Sequence, residues 1–256
     1  HAGAASGRGG GGCRVVVRRM RAQTEAAAPA ITVLEETGST NDEAKALART
    51  GAAEGTVVQA LRQTAGRGRQ GNLWMSEPGN LYMSMILRPD VSAAESGQMS
   101  FLAAVALAQT VQALLPPLAD IALKWPNDLL IGGRKAAGIL LEAESASAGR
   151  PDWLVLGIGL NIAHAPEGAV CLRDAGADID VTAARDLLVG NILALYRRFQ
   201  REGFAPVRSA WLERAAHLGK QIRVRLPGEE FHAVFDGIDA RGALEVTTDG
   251  GARRVV

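Results

Sequence analysis

The chain has 256 residues, 47% hydrophobic and 21% charged, with a formal net charge of +1; that size and composition suit a soluble globular protein with a sizeable core, as one large domain or a main domain plus a small appendage. The near-neutral balance gives no global field toward nucleic acid or an anionic membrane, and no apolar run approaches the roughly 18 residues that cross a bilayer. The two cysteines, Cys13 and Cys171, lie far apart with no Cys or His at ligand spacing, so free thiols in a reducing compartment, by default the cytoplasm, are expected rather than a disulfide or a metal site.

Residues 1–29 differ from all that follow. They begin Gly-, Ala- and Ser-rich, and 8–21 carries five arginines without an acid. Such a stretch buries too little apolar surface to offset its ordering entropy, so it is expected to be a disordered leader. Its glycines argue against the amphipathic helix of a transit peptide. The body starts near Ile31 with a strand over 31–35. Ser39 or Thr40 can cap a helix over 41–49. A strand over 56–63 runs into a Gly/Arg loop at 66–71, and 80–88 alternates as a further strand. Over 98–115 the residues Phe101, Val105, Ala108, Val111 and Leu115 fall on one helical face, and Pro116 and Pro117 end the helix. Strands are expected at 121–124, 134–144 and 153–161, and helices at 180–200 and 205–217. From Lys220 the pattern becomes short alternating runs, 221–226, 231–238 and 243–248, separated by Pro-Gly, Arg-Gly and Asp-Gly turns. The expected organisation is an α+β core over 30–218 followed by a small all-β domain over 219–256.

Four blocks carry chemistry. The loop GRGRQG (66–71) places two arginines among three glycines, combining planar donors for carboxylate or phosphate with a backbone that turns tightly. It is neither a P-loop nor a dinucleotide fingerprint, and taken alone it equally suits a flexible surface loop. KWPNDL (124–129) sets Lys124 at a strand end before a Trp-Pro turn, although Pro126-Asn127-Asp128 also reads as a plain β-turn. In RKAAGILLE (134–142) the small residues after Lys135 let a ligand lie against the backbone; the plainer reading is a hairpin turned at Gly132-Gly133. GIGLNI (157–162) has two glycines inside a strand, which indicates a close approach or a bulge.

In this order, and together with Ser39-Thr40-Asn41, these blocks resemble the biotin–protein ligase family from about Ile31 to the C-terminus. The resemblance implies a mixed sheet backed by helices, of the class II aminoacyl-tRNA synthetase-like kind, ending in a small SH3-like β-barrel. It implies a two-step reaction: ATP, with Mg²⁺, activates biotin to biotinyl-5′-AMP, which acylates a lysine of a biotin carboxyl carrier protein. On this resemblance Arg69, Lys124 and Lys135 are the catalytic cations. Ser39, Thr40, Asn41, Gln63, Arg67, Gly68 and Gly138, with Arg69 and Lys135, surround biotin. Asn127, Asp128 and Asn161 fall with Arg69, Lys124 and Lys135 at the nucleotide. Asp128 could assist deprotonation of the acceptor lysine. The chain departs from the family at Gln70 and Asn72, where many members have arginines. It also stops at Val256, where members usually continue through another strand, so the terminal barrel is expected to be incomplete. Residues 1–30 are too short and glycine-rich for the DNA-binding domain of some relatives, so ligase activity without repression is expected, in a monomer or homodimer. The rival readings are a lipoate–protein ligase, a nucleic-acid-binding module using the arginines at 8–21 and the GRGR loop, and a scaffold inactivated by truncation. Aromatic residues at 4% and the lack of a module pattern argue against the second.

Overall fold

The computed structural model describes residues 28–145, 149–226 and 228–256. The expected leader, with Cys13 and the arginines at 8–21, therefore lies almost wholly outside the described residues. The chain order is β1 (Ile31–Thr37), α1 (Thr40–Arg49), β2 (Val57–Gln63), β3 (Leu81–Leu87), α2 (Gln98–Leu114), β4 (Ile121–Lys124), β5 (Asp128–Ile131), β6 (Arg134–Ser145) and β7 (Pro151–Leu160). Helices α3 (Val181–Glu202) and α4 (Ala205–Leu212) follow, and then β8 (Gln221–Leu226), β9 (Glu229–Ile238), β10 (Leu244–Thr248) and β11 (Arg253–Val255). Strands β1 to β7 form one sheet in the order β1-β2-β3-β7-β6-β5-β4. Only the β1–β2 pair is parallel, so the sheet is mixed, as expected.

Period-two alternation divides the sheet into two faces. On β7, Leu154, Leu156, Ile158 and Leu160 enter the main core beneath α2, α3 and α4. Trp153 and Val155 point the other way, against Ala44 and Ala48 of α1. Continuing along that second face come Gly157 and Gly159. Helix α1 thus covers one part of the face, and the absence of side chains on β7 beyond it leaves room for a site.

Three expectations are corrected. Helix α2 has twelve of its seventeen residues buried, well beyond the single face read from the sequence, because the sheet, α3, α4 and the turn between β9 and β10 surround it. The last helix ends at Leu212 rather than 217. There the chain is drawn alongside β4, with Leu123 N donating to Arg214 O at 2.7 Å and Ala216 N to Leu123 O at 2.8 Å. Strand β5 had no counterpart among the expected elements; it starts at Asp128, at the end of the turn read at 126–128, pairs with β4 and turns into β6 at Gly132-Gly133, the hairpin read as the plainer alternative. Strand β11 was not expected.

The C-terminal strands form an antiparallel sheet in the order β11-β10-β9-β8. This sheet shares the main core: Phe235 of β9 packs edge-on against Trp211 at 6.4 Å, and Trp211 against Phe101 of α2 at 5.4 Å. Among the described residues no helix is long and apolar enough to cross a membrane.

Candidate active site

A cavity of about 870 Å³ opens on the second face of the sheet, between the loop after β2, the ends of β4–β7 and strand β8. All thirteen residues nominated from the sequence border it.

One end is built from neutral hydrogen-bonding groups at the start of α1. Ser39 occupies the N-cap position, and its carbonyl accepts from Asp42 N and Glu43 N, but its hydroxyl makes no capping bond. Thr40 donates from its backbone N and its hydroxyl to Gln63 Oε1, at 2.8 and 3.1 Å. Gln63 Nε2 donates to Ser76 Oγ at 2.9 Å, and Ser76 Oγ to the carbonyl of Trp74 at 3.0 Å. Ser84 Oγ stands 2.8 Å from Thr40 Oγ1 and 2.5 Å from Asn41 Oδ1. Asn41 Nδ2 donates to Glu142 Oε2 at 2.6 Å. A network in which each member is held by another fixes the orientation of every group it offers to a ligand.

The sequence signalled a close approach to the strand backbones, and it is real. The groups that approach belong to the protein. A Cβ on Gly157 would overlap the carboxamide of Asn41, and one on Gly159 would overlap the indole of Trp74. A Cβ on Gly138 would stand 2.9 Å from the same indole. Trp74 thus lies flat across β6 and β7, with its Nε1 buried and without a hydrogen-bond partner.

The other end is cationic. Lys135 Nζ lies 2.7 Å from Asp128 Oδ1 and 5.3 Å from the Trp74 ring centroid. Arg69 and Lys124 are exposed, and neither is among the groups that form salt bridges within the described residues. Arg67 differs: it forms a two-pronged pair with Asp42, both bonds at 2.7 Å, and lies 3.7 Å from Glu142. Lys45 bridges the same carboxylates, 2.8 Å from Asp42 and 2.9 Å from Glu142. The Arg67 guanidinium holds the Asp42 carboxyl well below the usual carboxylate range. Burial pushes the Glu142 carboxyl up, but hydrogen bonds from Asn41 and Lys45 and the nearby charges outweigh it and leave a net lowering.

Asn127 and Asn161 border the cavity with their amides turned to the backbone. Asn127 Nδ2 donates to Ile139 O at 2.7 Å, and Asn161 Nδ2 to Val170 O at 3.3 Å. Sequence reasoning missed Trp74, Ser76, Ser84 and His217. His217 borders the cavity, as does Trp74; Ser76 and Ser84 support the wall. A serine among the apolar residues of β3 was the one available signal for Ser84.

The chain matches the Biotin/lipoate A/B protein ligase family over residues 33–161 and the Biotin protein ligase C terminal domain over 217–256. It is 40% identical to the Biotin--[acetyl-CoA-carboxylase] ligase of Paracoccus denitrificans, across 83% of this chain and 92% of that one. It is 36% identical to the Bifunctional ligase/repressor BirA of Bacillus subtilis (strain 168), across 85% and 69%. Among solved structures it resembles the biotin protein ligase from Aquifex aeolicus in complex with biotin and ATP, with a TM-score of 0.75 and 25% identity over 89% of this chain and 95% of that one. It also resembles the Leishmania major biotin protein ligase in complex with biotinyl-5-AMP, with a TM-score of 0.66 and 26% identity over 90% and 99%. A mixed sheet bearing this cavity, matched in sequence over both its core and its terminal strands, places the chain in the biotin/lipoate A/B protein ligase family, on its biotin–protein ligase side.

Proposed function

We propose that this chain activates biotin with MgATP to biotinyl-5′-AMP and pyrophosphate, then transfers biotin to one lysine of a biotin carboxyl carrier protein. The observation that carries this reading is the polarity of the cavity, with a fixed neutral network at one end and three cations at the other, of which Arg69 and Lys124 form no salt bridge among the described residues while Lys135 is paired with Asp128. A ureido ring needs neutral donors and acceptors already in place, because an unpaired polar group in a closed pocket is costly. The hydroxyl of Ser39, free of a capping bond, is the most available of them.

In the first step a biotin carboxylate oxygen bonds to the α-phosphorus, and the bond from that phosphorus to the β-bridging oxygen breaks. The electron pair leaves with pyrophosphate. Two anions meet and charge gathers on the phosphoryl oxygens, so preset cations lower the barrier. Arg69, Lys124 and Lys135 fill that role, with Asp128 holding the Lys135 ammonium in place. Among the described residues no group of three or more His, Cys, Asp or Glu side chains is arranged to hold a metal ion, and Asp128 is the one acidic side chain bordering the cavity. That donor set suits Mg²⁺ carried in on the ATP phosphates rather than caged by the protein. In the second step a neutral lysine amine attacks the acyl carbon, the bond to the phosphate oxygen breaks, and AMP leaves. In this reading Asp128, the acidic side chain that borders the cavity, takes the amine proton.

The test combines the full chain, biotin, MgATP and an apo carrier domain, read by labelled avidin. A parallel arm with lipoate is read by pyrophosphate release. Biotin-dependent labelling that falls about 100-fold or more in Arg69→Ala is expected. Turnover with lipoate and none with biotin would replace this reading with the lipoate one.

A further inference from the structure

The neutral network at the start of α1 ends on a charge. Asn41 Nδ2 donates to Glu142 Oε2 at 2.6 Å, and Lys45 Nζ donates to the other oxygen of that carboxylate, Oε1, at 2.9 Å. Glu142 stands on β6 and Lys45 on α1, and neither borders the cavity. Arg67, from the loop after β2, approaches Glu142 only to 3.7 Å, so the contact with Asn41 stands without that loop. An ionised carboxylate can only accept hydrogen bonds. Asn41 must therefore face it with Nδ2, because turning the side chain over would bury two acceptors against each other. Its Oδ1 is then left to Ser84, whose hydroxyl lies 2.5 Å away and holds the only proton for that contact.

We propose that Glu142, from outside the cavity, is a positioning residue that sets the direction of the hydrogen-bond chain Thr40–Ser84–Asn41 and so keeps Thr40 Oγ1 as an acceptor for a ligand N–H. The inference rests on the biotin reading above, in which that N–H belongs to the ureido ring. Ser84 is buried, and its single proton has two possible takers, Asn41 Oδ1 at 2.5 Å and Thr40 Oγ1 at 2.8 Å. With Nδ2 held by Glu142 the proton goes to Asn41. The lone pairs of Thr40 Oγ1 then stay unspent, while its own proton is shared between Gln63 Oε1 and Ser84 Oγ. With Asn41 turned over, Nδ2 would donate to Ser84, Ser84 would donate to Thr40, and Thr40 would lose acceptor capacity where it borders the cavity. A chain that ends on a charge polarises each bond before it. Lys45 holds the carboxylate in place without touching Asn41's partner oxygen.

The experiment measures biotin binding to the full chain by calorimetry, without ATP, beside Glu142→Gln, Thr40→Val, the variant with both changes, and Lys45→Met. Glu142→Gln keeps the shape but lets Asn41 meet it with either end, so the biotin Kd is expected to rise about tenfold. In steady state the biotin KM should rise by a similar factor while kcat at saturating biotin stays within about twofold. Thr40→Val removes the acceptor itself, so adding Glu142→Gln to it should weaken biotin by less than about twofold more, the non-additivity that marks a shared pathway. Lys45→Met breaks the ion pair but leaves the carboxylate to accept from Asn41; its effect should be confined to the melting temperature, with the biotin Kd within about twofold of the parent. Additive losses in the double variant would overturn the proposal, as would a loss in Lys45→Met equal to that in Glu142→Gln. A parent chain that binds biotin no better than Glu142→Gln would remove this proposal alone, whereas a parent that binds no biotin would remove the biotin reading and this proposal with it.

Discussion

At the scale of single residues, the two glycines of β7 separate space needed by a side chain from space that is merely open. Alanine at Gly157 must push Asn41 off Ser84, a change that reaches the cavity wall directly. Overpacking of this kind costs about 1–3 kcal/mol. Gly157→Ala is therefore expected to lower the melting temperature and to raise the biotin KM, with the ATP KM little changed. Thermal melts and initial rates on the same preparation would check both; a normal biotin KM would mean that Asn41 is no part of the head-group wall. Gly190 of α3 is the contrast. Nothing lies within 4 Å of a Cβ built there, it is exposed, and its φ is not positive. Gly190→Ala should raise stability by about 0.5–1 kcal/mol, the helix-propensity gain, without touching activity. The same residues mark the limit of what could be read in advance. GIGLNI announced that something approaches the strand, but a glycine records only that room is left. That Trp74 and Asn41 take the room depends on where a loop and a helix from elsewhere in the chain are brought.

At the scale of elements, periodicity and breakers placed β1, α1, β2, β3, β4, β6, β7 and α3 within a few residues, because each carries a local pattern bounded by turn chemistry. The misses have one physical cause: tertiary partners overrode local preference. Strand β5 is four residues with no alternation of its own to announce it, and it exists because β4 and β6 flank it. The last turn expected of α4 was surrendered to pairing beside Leu123. Of the candidate site, the residues that border the cavity were named through the resemblance of their blocks to a family, and the fold brings them to one cavity. Asp42 and Lys45 lie outside the blocks singled out in the sequence and Glu142 only closes one of them, since only the fold joins α1 to β6. Their coupling has a pH signature. The Glu142 carboxyl is held below its ordinary value in the folded chain. A group with a depressed folded pKa contributes stability that is complete above its unfolded value, about 4.3, and that is lost as pH falls through the folded value. The melting deficit of Glu142→Gln should therefore be largest near neutral pH and shrink below about pH 4. Thermal melts of both proteins at several pH values would check this, and a deficit that widened toward acid would refute it.

At the scale of the whole molecule, the C-terminal sheet is joined to the rest through a shared buried core. One core cluster runs from Leu156 in the large sheet through Phe101 and Trp211 to Phe235 and Val246 in the small one. Trp211 is 1% exposed and Phe235 2%, and polar ties cross the same junction. Arg208 Nε donates to Ile238 O at 2.6 Å, and Trp125 Nε1 to Gly242 O at 3.1 Å. The second of these bears on the site, because Trp125 sits between Lys124 and the turn that carries Asn127 and Asp128. The small sheet therefore both walls the cavity through β8 and braces the cationic strand end from behind. Two separable units would melt in two steps, whereas a shared core of this kind melts in one. Phe235→Ala removes an aromatic from that junction, at a cost of about 3–5 kcal/mol. The expected outcome is a single calorimetric transition in the parent chain and a single, lower one in the variant. Adenylate formation should weaken in Phe235→Ala at temperatures where the fold is still intact, since Lys124 loses its brace. Two transitions in the parent, or a variant in which only a small low-temperature step moves, would mean that the sheet folds on its own and only leans on the catalytic unit.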